Sequence, residues 1–129
     1  MELSSDERFI IEVFKEFDFL RRLDYDAIHV SIYGREPFVV FENRNLKRTI
    51  FISLESRLNI SIERHRWFSR KSYPSPDRFS LRDFYEHFNI RAESENDIKI
   101  NAELLKTKFM PLLKGQVWID EILEQSNAS

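Results

Sequence analysis

Between residues 28 and 63 apolar and polar side chains alternate in four short runs. They are Ile28-His29-Val30-Ser31-Ile32-Tyr33, Phe38-Val39-Val40-Phe41, Thr49-Ile50-Phe51-Ile52-Ser53-Leu54 and Leu58-Asn59-Ile60-Ser61-Ile62-Glu63. A period of two places alternate side chains on opposite faces of an extended strand, and β-branched and aromatic residues suit that pleated surface. The runs predict four strands. Gly34 and Pro37, then Asn43 and Asn45, supply turn residues between the early ones, and connections this short permit only antiparallel neighbours. The expected core face is Ile28, Val30, Ile32, Ile50, Ile52, Leu54, Leu58, Ile60 and Ile62. The opposite face then carries His29, Ser31, Tyr33, Thr49, Phe51, Ser53, Asn59, Ser61, Glu63, His65 and Trp67, either covered by the C-terminal helices or left as an open platform. Either Val39 and Phe41 or Phe38 and Val40 join it.

Outside this meander the spacing turns helical. Ser4 and Glu7 stand three apart, as in a capping box, and Phe9, Ile10, Val13, Phe14, Phe17 and Leu20 follow at steps of three and four. One helix to about Leu23 is expected, with Phe14 and Phe17 in the core beneath it. Two prolines and three serines between Ser69 and Asp77 mark an irregular loop. Ser80 then offers an N-cap to a short helix bearing Leu81, Phe84, Tyr85 and Phe88. Ile98 and Ile100 bracket Lys99 as a strand would, or else approach a helix capped by Asn101. That helix holds Leu104, Leu105, Phe109, Leu112 and Leu113, kinks at Pro111 and ends at Gly115. A last helix holds Val117, Trp118, Ile119, Ile122 and Leu123. The expected fold is a single α+β domain over residues 1–129: an N-terminal helix, a four-stranded antiparallel β-meander, and two to three C-terminal helices.

Composition narrows the function. A hydrophobic content of 42% with a net charge of −2 suits a globular chain. The absence of cysteine removes disulfides, thiolate metal sites and cysteine nucleophiles. No secretion signal or membrane-length apolar run is visible, so a cytoplasmic protein with no membrane contact is expected. Two glycines supply no phosphate-cradling loop, and His29, His65 and His87 lack the close spacing of zinc ligands. Neither a catalytic group, a metal site nor a cofactor is expected, and the chain reads as no enzyme.

Charge is segregated along the sequence. Residues 1–27 sum to −4, residues 28–73 to +5 and residues 74–129 to −3. Within the basic part, Arg64, Arg66, Arg70 and Lys71 interleave with His65, Trp67, Phe68 and Tyr73. Arginine with tryptophan or tyrosine is the composition of protein hot spots, and also of surfaces that stack single-stranded bases between phosphate contacts. The expected partner-binding residues are Arg64, Arg66, Trp67, Arg70 and Lys71, continued across the strands by Tyr33 and Phe51.

The order of helix, meander and helical tail, closing in Ala102-Glu103-Leu104-Leu105 and Pro111-Leu112-Leu113-Lys114-Gly115, resembles small bacterial proteins of the polymorphic-toxin immunity type and related uncharacterised families. That resemblance implies a cytosolic inhibitor that binds a toxin domain, with no catalytic residues. Immunity proteins directed at nucleases are often strongly acidic; the basic sheet of this chain departs from that pattern. The leading expectation is therefore a non-catalytic protein-binding module. A nucleic-acid-binding accessory domain using residues 64–73 is the alternative, followed by a small-ligand protein or an enzyme whose site is built from scattered residues.

Overall fold

The computed structural model describes residues 3–32, 36–54, 56–65 and 77–127. The architecture is α+β. Helices α1 (Ser5–Glu16) and α2 (Phe19–Arg22) precede strands β1 (Asp26–Ser31), β2 (Phe38–Asn43), β3 (Arg48–Leu54), β4 (Leu58–Arg64) and β5 (Arg78–Ser80); helices α3 (Ile98–Lys108), α4 (Met110–Leu113) and α5 (Ile119–Asn127) follow.

The capping box of α1 forms as its spacing predicts: the Glu7 N–H donates to Ser4 Oγ at 3.1 Å, and the Ser4 N–H to Glu7 Oε1 at 3.2 Å. Phe9, Ile10 and Val13 turn inward from α1. The expected single helix to Leu23 is interrupted at Phe17 and resumes as α2, so that Phe17 and Leu20 both reach the core with no exposure. Phe14 is a correction. It is 36% exposed on the flank of α1, where its ring meets Phe41 edge-on at 6.0 Å. The chain reverses at Asp24, whose φ of 67° is the left-handed conformation, and Tyr25 is then fully buried. Its hydroxyl donates to the Leu113 carbonyl at 2.8 Å, tying the first strand's entrance to α4.

The sheet has five antiparallel strands in sequence order, one more than the four expected. The extra strand is β5, three residues long, which pairs Ser80 with Ser61 and Phe79 with Ile62. So short a strand has too few positions to display an alternation. Register settles the question left open at β2: Val39 lies opposite Ile52 and Phe41 opposite Ile50, so these two face the core while Phe38 and Val40 face away. The expected core positions Ile28 and Val30 are a second correction, at 48% and 40% exposure. β1 is an edge strand, and its register slips between Ala27 and His29, the signature of a bulge that inserts Ile28 as an extra residue.

The C-terminal half departs further from the periodicity. Leu81–Phe84 form a 3-10 turn capped by Ser80 rather than an α-helix, and the following residues stay in turns up to Asn89, at φ 59°. Ile98 and Ile100 belong to α3, which is capped by Asp97 and not by Asn101. Asn101 is instead a buried tie: it accepts from the Tyr85 hydroxyl at 2.6 Å and donates to the carbonyls of Asp97 and Glu95. The break between α3 and α4 falls at Phe109, two residues before the expected kink, with Pro111 in the first turn of α4, and Gly115 closes α4 with φ 75°, as glycine at that place predicts.

Residues from all five helices join Val39, Phe41, Ile50, Ile52, Leu58, Ile60, Ile62 and Phe79 in one apolar core. Every strand residue of that core, apart from partly buried neighbours, lies on a single sheet face. The described residues thus form two layers, with their helices on one side of the sheet. The other side carries Val40, buried but outside the core cluster, with Phe38 and Phe51 half-buried around it.

Candidate anion-binding groove

On the face away from the described helices, the polar positions of the last two strands fall side by side. Ser61 of β4 is paired with Ser80 of β5, and Glu63 with Arg78. Asn59 precedes Ser61 on the same face because it is two residues back. The Ser80 hydroxyl donates to Asn59 Oδ1 at 3.0 Å, leaving the Asn59 amide N–H groups to a ligand. With Arg57 from the β3–β4 turn and Arg82 and Asp83 from the 3-10 turn, these residues line a groove of about 500 Å³.

The three arginines differ in how firmly they are held. Arg82 is built in: it donates to Glu95 Oε2 at 3.0 Å and to the Leu58 carbonyl at 2.7 Å, and its guanidinium lies 5.7 Å from the Tyr85 ring. Burial is the main reason that the Tyr85 hydroxyl titrates above its ordinary range, so it stays a neutral donor toward Asn101. Arg78 is held loosely. It lies 5.0 Å over the Phe51 ring, 3.5 Å from Ser61 Oγ and 4.0 Å from Glu63 Oε2. Arg57 is exposed and has no partner among the described residues. Guanidinium, hydroxyl and amide donors that converge in this way suit a planar or tetrahedral oxyanion, meaning a carboxylate or a phosphate. Asp83 at the rim limits how much negative charge fits.

Of the residues expected from sequence to bind a partner, Phe51 lies beneath Arg78 at this groove. Arg64 is turned the other way, into the fold. It pairs with Asp77 at 2.8 Å, and its guanidinium lies 4.7 Å from the ring of Trp118, which Arg48 approaches to 5.2 Å. Arg48 and Arg64 are direct strand partners, so the indole and the Asp77 carboxylate sit where two like charges meet. Burial, then the Arg64 charge, lowers the Arg48 pKa, while Tyr25 acts in the opposite sense. Tyr33, Arg66, Trp67, Arg70 and Lys71 lie outside the described residues.

The histidines are scattered. His29 stacks on Phe38 at 5.1 Å, His65 Nε2 lies 2.7 Å from Thr49 Oγ1, and His87 contacts Phe88. Among the described residues no group of three or more His, Asp or Glu is placed to hold a metal ion, and no helix is long and apolar enough to cross a membrane.

Sequence reasoning placed Asn59, Ser61 and Phe51 on the face opposite the helical core, where Ser61 is buried, but it missed Arg57, Arg78, Ser80 and Arg82. The polar–apolar–polar order of Arg78-Phe79-Ser80 was the available signal, too short to stand alone. No protein-family model, no curated protein and no solved structure matches this chain.

Proposed function

We propose that the chain is a non-catalytic protein-binding module of the cytoplasm, an inhibitor of the immunity type, whose partner is a toxin domain presenting acidic side chains to the Arg57–Arg78 groove. The observation that carries this reading is Arg78: a guanidinium laid over Phe51 and only loosely paired, beside an unpaired Arg57. Ring and guanidinium together are what anchors at protein interfaces are made of. A cation already resting on a ring loses little freedom when it takes up a carboxylate. The basic charge of the sheet segment adds a field that draws such a partner in.

Affinity capture from the native host at moderate salt tests it. An acidic protein should be retained by the wild-type chain and lost by about tenfold or more with Arg57→Glu/Arg78→Glu, since charge reversal at an interface slows association and opposes docking. Equal retention by both chains refutes the reading. So does tight binding of single-stranded oligonucleotides with a logarithmic salt slope of about one unit per phosphate neutralised, which is the nucleic-acid alternative.

A further inference from the structure

The two margins of the sheet are built differently. Near the β4 margin, past the end of β5, the Leu58 backbone is already engaged, with its N–H donating to Asn96 Oδ1 at 2.9 Å and its carbonyl accepting from Arg82 at 2.7 Å. At the opposite margin β1 pairs with β2 alone, so from Asp26 to Val30 its outward backbone groups meet no strand among the described residues. Edge strands are commonly defended by lysine or proline. β1 has neither, only its bulge, and it is exposed from Asp26 through Val30.

Apolar surface accompanies this open edge. Ile28 and Val30 are two of the five large hydrophobic side chains exposed among the described residues, and Ile11 and Phe14 of α1 are two more. Phe14 stands 6.0 Å from Phe41, the β2 residue paired with Ala27 of β1, so the flank of α1 overhangs the same margin. The charge there is acidic. Asp26 is directly opposite Glu42, a like-charge pair that opposes strand pairing. Glu42 is answered by Arg44 at 3.0 Å, whereas Asp26 has no partner among the described residues.

We infer that the outer edge of β1 docks an extended segment of a partner protein, one that adds a strand to the sheet and sets a lysine or arginine beside Asp26. Main-chain hydrogen bonds supply the affinity in such strand addition, and alternate side chains supply the selectivity. Here the alternate positions meet Val30 and the Phe14 flank on one face and the Asp26–Glu42 pair on the other. A second copy of this chain paired in parallel register would bring a like carboxylate to Asp26, since β1 itself holds Asp26 and no lysine or arginine. This edge is independent of the groove at the far margin.

Titration of the isotopically labelled chain with three synthetic hexapeptides tests the inference. The first alternates valine and threonine and carries a terminal lysine, the second has glutamate in its place, and the third is the lysine peptide with alternate amides N-methylated. The lysine peptide should shift the amides of Ala27 to Ser31 saturably. The glutamate peptide should bind about tenfold more weakly or worse, because a like charge is brought to Asp26. The N-methylated peptide should not bind, having lost alternate donors. In Asp26→Asn, which relieves the Asp26–Glu42 repulsion and so does not lower the unfolding midpoint, the advantage of lysine should fall below about threefold. Three outcomes overturn the inference: no saturable shift with the lysine peptide, shifts centred away from β1, or equal binding of all three peptides. Sedimentation showing a dimer of the free chain that Val30→Lys dissolves would overturn it too, by seating a second copy on the edge.

Discussion

Replacing Phe17 and Phe14 separately by alanine measures which side of α1 carries the fold. Phe17 has no exposed surface and lies at the break between α1 and α2, in contact with Phe19 at 6.1 Å between ring centres. Truncating a buried phenylalanine removes its transfer free energy and leaves a cavity, together about 3–5 kcal/mol. Phe14 is 36% exposed, so about two-thirds of a full burial term of roughly 1.5–3 kcal/mol is at stake. Its edge-on contact with Phe41 adds about 0.5–1.5 kcal/mol. Little cavity term applies at a site open to water, so the expected loss is about 1.5–3.5 kcal/mol and is smaller than that of Phe17. Urea denaturation, with the slope required to match the wild type so that the two-state comparison holds, reads both values. A loss from Phe17→Ala under about 1.5 kcal/mol, or a larger loss from Phe14→Ala than from Phe17→Ala, refutes the assigned helix face.

Gly115→Ala should cost about 1–2 kcal/mol, measured the same way, because φ 75° is strained for alanine and the new Cβ would come within 3.0 Å of Leu46 Cδ2. Arg48→Met should change stability by less than about 1 kcal/mol, or raise it. It removes a half-buried cation that faces Arg64 and keeps an apolar stem against Trp118; a loss above about 2 kcal/mol in thermal or urea unfolding would refute this. Alkaline stability should be steep. Burial raises the Tyr25 and Tyr85 hydroxyl pKa values in the folded state, so their contribution is complete below about pH 10, where the unfolded chain's tyrosines ionise, and is lost as the pH climbs toward the folded values. Denaturation midpoints followed across that window should fall more gently in Tyr25→Phe than in the wild type; an unchanged slope refutes the assignment to Tyr25.

Local signals in the sequence read well where one element was long enough to repeat its pattern. The Ser4–Glu7 box, the meander and the stop at Gly115 belong to that class, since each depends on residues close in sequence. The departures come from tertiary decisions. The helical stripe that includes Phe14 is wide, and only the position of the sheet under α1 decides that Phe17 is inside while Phe14 is at the edge. One inserted residue at Ile28 breaks the parity on which the β1 face assignment rested. Ile98 and Ile100 are too short a pair to distinguish a strand from the first turn of α3, and Asp97, not Asn101, caps it. The groove was half visible. Asn59 and Ser61 follow from strand parity alone, but Arg78 and Arg82 are brought beside them, and beside Arg57, only by β5, which the alternation did not reveal.

The strands are laid down in sequence order, so each step of the meander moves the chain one strand sideways. Asp26 and Glu42 therefore stand at the β1 side, and Arg57, Arg78 and Arg82 line the groove at the β4–β5 side beside Asp83. A four-helix bundle with the same sequence of charges would not keep them apart in this way, since its first and last elements are neighbours. A carboxylate pair at one margin and guanidinium groups at the other favour one orientation of an incoming partner of mixed charge before contact forms. Orientation of that kind acts on association and fades as salt screens exposed charge over about 8–10 Å. The apolar contacts at Phe51 and Val30 are not screened and act on dissociation. Charge reversal at Arg78 and truncation at Phe51 therefore alter different rates at the same groove, which is what separates a steering field from an anchoring contact.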